Sequence, residues 1–428
     1  MFASLQQLIR RGLQPLLPGG GLRRELLVST ADAVVFSVMV GCGETYIPAF
    51  GLALGLGPVA AGMLASLPVL VGATVQLVTP LAVARLGTNL GWCVVCTTVQ
   101  SLSFVPLVVW AVRGHAALWE LLVAASVYWA AGMAGGPAWN TWIGTLVPEK
   151  MRTAFFAQRN RLGQFGVFVG FVAGGLALQF GEGQGRTLLA FAAIFAAAGV
   201  CRLVSMLLLA SCQEPHRPGP TSPGVGGPSL ALRLHRAVST MARSPSGALV
   251  TYACTLAFAA HFSAPYFTPY MLRERGFSYH AFMLVIATQF LAKALALPGL
   301  GRLGSRLGSV GLLRAGGLAV IPLALLWLVS ANVWYLMAVQ CLAGCAWAAY
   351  ELGLALLFFD AVPHHERTGV ITAYNLGLAI ATVAGAVAGG LLLRALGENH
   401  TAYHTLFVVS SLLRLATIPL LHRVRALA

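Results

Sequence analysis

Twelve runs of apolar residues, each close to the length that crosses a lipid bilayer, divide this 428-residue chain from end to end. A helix rises about 1.5 Å per residue, so roughly 20 residues cover the hydrocarbon core. The runs fall at roughly 26–50, 58–80, 90–112, 117–146, 163–181, 188–211, 248–271, 279–301, 311–330, 333–361, 369–396 and 402–422. In lipid every backbone N–H and C=O must be bonded internally, and runs this long and this apolar satisfy that as helices. Composition agrees: 58% of residues are hydrophobic and 9% charged, against about 25% charged in soluble domains. The fold class is an all-α polytopic membrane protein with twelve transmembrane helices.

Charge sets the expected orientation. With the N-terminus inside, most of the 27 Lys and Arg residues gather on one face, and the other keeps Arg113, Arg186, Arg273, Arg275 and Arg394. Basic residues near helix ends are retained in the cytoplasm, which predicts both termini inside, in a bacterial cytoplasmic membrane. That asymmetry and attraction to anionic lipid headgroups account for the net charge of +15 without any nucleic acid. The first 25 residues are too polar and too broken by Pro and Gly for a cleavable signal peptide. Residues 2–17 can form a surface helix with Phe2, Leu5, Ile9 and Leu13 toward lipid.

The phrase "GFVAGGLAL" at 170–178 returns as "GAVAGGLLL" at 385–393. Other matches extend it. Pro48, Gly55, Arg85 and Gly87 meet Pro269, Gly276, Arg306 and Gly308, while "VPEKMRT" (147–153) meets "VPHHERT" (362–368) and Asn160 meets Asn375. The offset drifts only at loops, as a duplication with small indels would. An even number of spans per unit makes these parallel repeats about an axis along the membrane normal. The expected organisation is a cytoplasmic segment 1–25, a six-helix half 26–211, a cytoplasmic linker 212–247, a second six-helix half 248–422 and a tail 423–428. The linker begins with a Pro/Gly-rich stretch, "EPHRPGPTSPGVGGP", and continues into "SLALRLHRAVSTMAR", which has the composition of a basic amphipathic surface helix. Gly170 and Gly174 in the fifth span, and Gly385 and Gly389 in the eleventh, have the four-residue spacing that lets helix backbones approach closely in lipid. Those two spans are expected to pack tightly on a neighbour, statically or as sliding surfaces.

Six plus six spans, a basic linker and this pseudo-symmetry resemble the major facilitator superfamily of secondary transporters, over about residues 24 to 425. The superfamily's loop motif, Gly-x-x-x-Asp-Arg-x-Gly-Arg, has the counterpart "PLAVARLGTN" after the second span, with Arg85 and Gly87 kept and Pro80 and Ala84 at the Gly and Asp positions. The second copy, "GRLGSRLGS", keeps Gly301, Arg306 and Gly308 and has Ser305 for Asp. Loss of both carboxylates weakens the salt-bridge latch the resemblance implies, and leaves Arg85 and Arg306 as gating or structural residues. The resemblance implies a monomeric transporter that moves a small-molecule substrate by rocking its two halves; protons are the expected coupling ion because Glu351 and Glu44 lie inside the membrane spans. It also resembles, in the fifth span, the Gly-x-x-x-Gly-Pro-x-x-Gly-Gly signature of proton-coupled antiporters, with Phe171 in place of Pro. The same glycines recur in the eleventh span, so they report packing as readily as direction.

Ionisable residues inside the spans are the candidate working groups, because each costs roughly 2.5–3.5 kcal/mol near mid-membrane. They are Asp32, Glu44, Arg202, Lys293, Glu351 and Arg414, with His261 beside them. Glu351, in "WAAYELG" with Trp347 and Tyr350, is the leading substrate or proton site, since a mid-span carboxylate can load and release a proton as access alternates. Glu44 and His261 follow, on spans that line the central cavity in the resembled fold. Lys293 is a counter-ion for one of these acids, an anion ligand or a snorkelling lysine. Trp139, Asn140 and Trp142 in "GGPAWNTW", with Tyr374 and Asn375, offer stacking surface and amides. Asp32, two turns into the first span, can pair with a cytoplasmic-side arginine. Arg202 and Arg414 sit on spans that are peripheral in the resembled fold, which makes them structural.

No cofactor or metal is expected. Cys93-x-x-Cys96 and Cys341-x-x-x-Cys345 lack a second pair and nearby histidines, so they read as small buried side chains. "HHER" at 364–367 likewise lacks metal-ligand company. There is no phosphate-binding Gly-x-x-x-x-Gly-Lys-Ser/Thr, which removes ATP hydrolysis as a power source, and no clustered site marks an enzyme. The rival expectation is a transport-inactive receptor or scaffold that signals through its linker. The three acids in the spans lean toward a cationic or neutral solute, while Lys293 leaves room for an organic anion.

Overall fold

A computed structural model describes residues 21–214, 245–361 and 367–424. The surface helices expected at 2–17 and within the linker, the pair His364 and His365, and the last four residues lie outside that set. Among the described residues twelve helices are long and apolar enough to span a membrane: α1 (Leu22–Ala53), α2 (Pro58–Leu86), α3 (Asn89–Arg113), α4 (Leu118–Leu146), α5 (Gln158–Gly183), α6 (Thr187–Ala210), α7 (Gly247–Glu274), α8 (Tyr279–Gly304), α9 (Arg306–Leu326), α10 (Val333–Phe358), α11 (Tyr374–Ala395) and α12 (His400–Arg423). No strand occurs among the described residues. The chain is a multi-pass membrane protein built as two pseudo-symmetric six-helix bundles.

Local chemistry explains where helices break. In α1 a short 3-10 turn, Glu44–Tyr46, precedes Pro48, and α7 has its twin, Ala264–Tyr266, around Pro265. Proline removes a backbone donor and crowds the preceding turn, so the helix tightens or bends there. Gly87 after α2 and Gly308 at the start of α9 both take positive φ, 76° and 73°, a region glycine enters without a Cβ penalty. These matched turns put the sequence repeat into backbone geometry. Helix starts are capped by the side chains of Thr88, Ser278 and Asn399. Glu214, just past α6, adds a carboxylate at the start of α3, where it accepts from the N–H groups of Asn89 (3.3 Å) and Leu90 (3.0 Å), the favourable end of the helix dipole for an anion.

The glycine phrase acts as tight packing. A Cβ on Gly170 would collide with the carbonyl of Val38 on α1, and one on Gly385 with the carbonyl of Phe258 on α7. The α1–α5 and α7–α11 pairs therefore meet backbone to backbone, which only a residue without a side chain allows. Tyr46 and Tyr266 close each pair, donating to the carbonyls of Phe171 (2.7 Å) and Ala386 (2.6 Å).

The bundles join through α2 with α11 and α5 with α8. Phe282 packs on Tyr46 and Phe171, Phe290 reaches Phe171, and Met283 fills the space over Gly175. The N–H of His280 donates to Gln179 Oε1 at 2.9 Å. All of these contacts lie between mid-helix and the end carrying the α1–α2 and α7–α8 turns. Toward the other end Phe165 on α5 and Leu295 on α8 are exposed, as are Arg85 and Arg306. These contacts between the bundles thus gather toward one end of the molecule.

Candidate functional site

Each bundle holds its own cavity, and the two differ. The first, about 210 Å³, lies among α1, α3, α4, α5 and α6, with Asp32, Trp139, Asn140, Arg159 and Arg202 on its wall. Asp32 is buried and bonded twice. Ser205 Oγ donates to its Oδ1 at 2.6 Å, and Arg159 lies 3.6 Å from Oδ2. Arg202 donates from Nη1 to Ser205 Oγ (2.8 Å) and from Nε to Gln100 Oε1 (2.7 Å). The Arg159 guanidinium sits 4.1 Å over the Trp139 ring, and that of Arg202 4.6 Å over Phe36. A buried ion pair holds only when the remaining donors and acceptors are also satisfied, and here Ser205 and Gln100 do that.

The second cavity is larger, about 410 Å³, among α7, α8, α9, α10 and α12. Lys293 Nζ stands 2.6 Å from Glu351 Oε2 and 2.8 Å from Oε1, which makes Glu351 the counter-ion of Lys293. The pair is open: the side chain of Glu351 is 51% exposed and that of Lys293 21%. His261 lines the same space. Its Nδ1 lies 2.9 Å from the carbonyl of Ala257, an atom that can only accept, so Nδ1 carries the proton. Trp327, Trp347 and Phe290 supply aromatic wall, and Gln289 and Gln340 supply amides.

Arg202 and Arg414 bond to neighbouring helices, Gln100 on α3 and Val320 on α9, and reach further than their peripheral spans suggested. Both line cavities instead of remaining at the periphery, because a guanidinium on a four-bond stem reaches past the helix that carries it. Their settings are unequal. Arg414 donates to the carbonyl of Val320 at 3.0 Å and to Ser263 Oγ at 3.2 Å, all neutral acceptors, and its Nε has no partner among the described residues.

Other expected residues stand apart from these walls. Glu44 accepts from Tyr128 Oη at 2.6 Å toward the α1–α2 turn. Trp142 is fully buried in an apolar cluster with Leu26 and Leu209, its Nε1 donating to the carbonyl of Gln213 at 3.4 Å. Tyr350 is buried against Tyr252 and Trp347, and Tyr374 packs on Phe358. Asn375 is half-buried on α11. All eight cysteines are free thiols, Cys93 and Cys96 buried and Cys341 exposed. Sequence reading passed over Gln100, Tyr128, Ser205, Gln289 and Gln340. Three of these are amides inside apolar spans, a signal as informative as a charge once it is sought.

The family model of the Major Facilitator Superfamily matches residues 249–426, the second bundle. Among solved structures, a variant of the nucleoside transporter NupG superposes with a TM-score of 0.73 at 13% identity, covering 94% of this chain and 100% of that one. A bacterial homologue of the human lysosomal transporter Spinster, in an inward-facing and unoccupied conformation, gives 0.66 at 16% identity, with 95% and 96% covered. No curated protein matches the chain by sequence. Identities this low carry the fold and nothing finer.

Proposed function

We propose that the chain, whose second bundle matches the Major Facilitator Superfamily model and whose fold is shared with solved transporters, is a secondary transporter of that superfamily that moves a small solute by alternating access and is driven by protons. The observation that carries this reading is the Lys293–Glu351 pair, an ion pair on the wall of an open cavity inside a membrane-spanning bundle. Charged groups in such places are expensive and are retained for substrate or proton pathways. Glu351 is half exposed, so water can deliver a proton to it. Protonation releases Lys293, and loss of the proton on the other side restores the pair.

Basic-residue asymmetry puts the α1–α2 end outside, and the end where the bundles meet is then the outer, closed one. On this reading the conformation is inward-facing, the state in which the Spinster homologue was solved. The tyrosine-sealed helix pairs and the α2–α11 and α5–α8 contacts form the outer seal. The bare arginines Arg85 and Arg306 mark an inner gate without its carboxylate latch.

Spin labels at Arg85→Cys and Arg306→Cys, on a background with the native cysteines replaced, test this without a known substrate. The expected result is two distance populations whose ratio changes between acid and neutral pH, with that change lost in Glu351→Gln. A single distance indifferent to pH would remove alternating access and leave a static membrane scaffold. A pH response that survives in Glu351→Gln would move proton coupling to another group.

A further inference from the structure

The ionised side chains on the two cavity walls do not balance. Arg159 and Arg202 face Asp32 in the first, and Lys293 and Arg414 face Glu351 in the second. Both carboxylates are already engaged by cations, Asp32 with Arg159 and Glu351 with Lys293. Glu44 is bonded to Tyr128 and lies on neither wall. A cationic solute entering from the open end therefore meets no unpaired carboxylate on either wall, and meets four positive side chains.

Arg414 is the most demanding of the four. It is 3% exposed, no carboxylate lies within ion-pair distance of it among the described residues, and its Nε has no acceptor. A buried cation held only by neutral oxygens is costly. In the equivalent place on α6, Arg202 has Asp32 within a two-bond relay through Ser205. The second bundle keeps the arginine, omits the acid and doubles the empty space beside it. That is the arrangement of a site whose counter-ion arrives from outside. A guanidinium suits this purpose because its planar fork matches a carboxylate.

We infer that the solute moved by this transporter is an organic anion with an aromatic or otherwise flat apolar body. Its carboxylate sits between Arg414 and Lys293, and its body lies against Trp327, Trp347 and Phe290. This rests on the transporter reading above. The substrate carboxylate competes with Glu351 for Lys293, so a protonated Glu351 favours loading. Inward tilt of the charge balance toward cations reverses the lean toward a cationic or neutral solute that the count of acids alone suggests.

The test is equilibrium binding to the purified full-length protein in micelles, using matched triads on benzene, naphthalene and indole rings. Each triad holds a ring-acetic acid, its primary amide and the corresponding ethylamine, which differ in charge at nearly constant shape. The expected result is preference for the carboxylate over both others by at least about tenfold in one or more triads, the least that a lost charge-assisted hydrogen bond implies. Lys293→Gln weakens carboxylate binding by a similar factor, and Glu351→Gln tightens it by removing the competitor. Arg414→Lys keeps the charge if Arg414→Gln fails to fold, and weakens carboxylate binding by loss of the fork alone. Preference for the amine, equal binding of acid and amide, or no binding by any triad overturns the assignment. So does loss of acid binding when phosphatidylglycerol is added, which would make this a lipid headgroup site. The spin-label distances, read on the same preparation, separate the two claims. Acid binding with immobile labels supports the anion site and removes transport. Amine binding with mobile labels keeps transport and removes the anion site.

Discussion

Two ion pairs stand in matched bundles, and the shorter one contributes less to holding the protein together. Lys293 and Glu351 approach to 2.6 Å with the carboxylate half exposed, whereas Arg159 and Asp32 are 3.6 Å apart with both side chains largely buried. In water-filled space a pair gains little, because solvent competes for both partners. In the interior, removing one partner leaves an uncompensated charge. Distance alone therefore ranks these pairs in the wrong order for stability. The first bundle spends its charges on itself, and the second leaves them available.

Asp32→Asn should break the comparison most forcefully. It removes the one carboxylate that faces Arg159 and Arg202 among the described residues, so those two cations lose their counter-charge inside the bundle. Loss of one partner of a buried pair costs about 3–5 kcal/mol, which should appear as a large drop in thermal midpoint of the detergent-purified protein, or as failure to accumulate. A midpoint near wild type would mean that water reaches the first cavity as freely as the second.

Gly170→Ala and Gly385→Ala probe what the bundles share. Each added methyl meets a backbone carbonyl, of Val38 or Phe258, that cannot rotate away as a side chain would. Overpacking of this kind costs about 1–3 kcal/mol, and the two losses should agree, because the helix pairs are built alike. A much smaller loss in one bundle would identify the helix pair that can slide during the cycle.

Tyr128→Phe tests a feature of the first bundle alone. Glu44 opens the 3-10 turn of α1 and Ala264 opens the matching turn of α7, so the hydrogen bond from Tyr128 has no counterpart. Its loss should cost about 1.5–3 kcal/mol if Glu44 is ionised and about 1 kcal/mol if it is protonated. Measuring the penalty at acid and neutral pH reports which form the closed end holds.

Most of the architecture was legible in the sequence, and the two sites were legible only in part. Bilayer-length runs fix the helices because lipid offers the backbone no other partner. The recurring glycines marked α5 and α11 as close-packing helices, and the matched Gly87 and Gly308 fall on matched turns. Residues that act through a neighbour were harder to read. Glu351 and Lys293 are 58 positions apart, and nothing local to either says that they meet. Trp142 looked like cavity wall from its composition, yet helical phase turns it into the packed interior while Trp139 and Asn140 face the cavity. Arg202 and Arg414 are the same residue at the same point of a duplicated unit, and sequence assigns them one role. Their difference lies in what stands beside them, Asp32 linked through Ser205 in one bundle and no carboxylate within ion-pair distance among the described residues in the other, and that is a property of three-dimensional placement.

Lys293→Gln carries the smallest expected effect on stability and thereby sharpens the contrast with Asp32. Glu351 is left without its cation but in contact with water, so its charge remains solvated and the cost should be about 0–1 kcal/mol. Thermal unfolding should scarcely distinguish this variant from wild type, while the pH response of the spin-label distances should change markedly. A pair worth almost nothing to the fold but needed for the cycle is a working pair. Should Lys293→Gln instead destabilise as severely as Asp32→Asn, the second cavity would be closed to water in the resting protein. Glu351 and Lys293 would then hold the bundle together as Asp32 and Arg159 do.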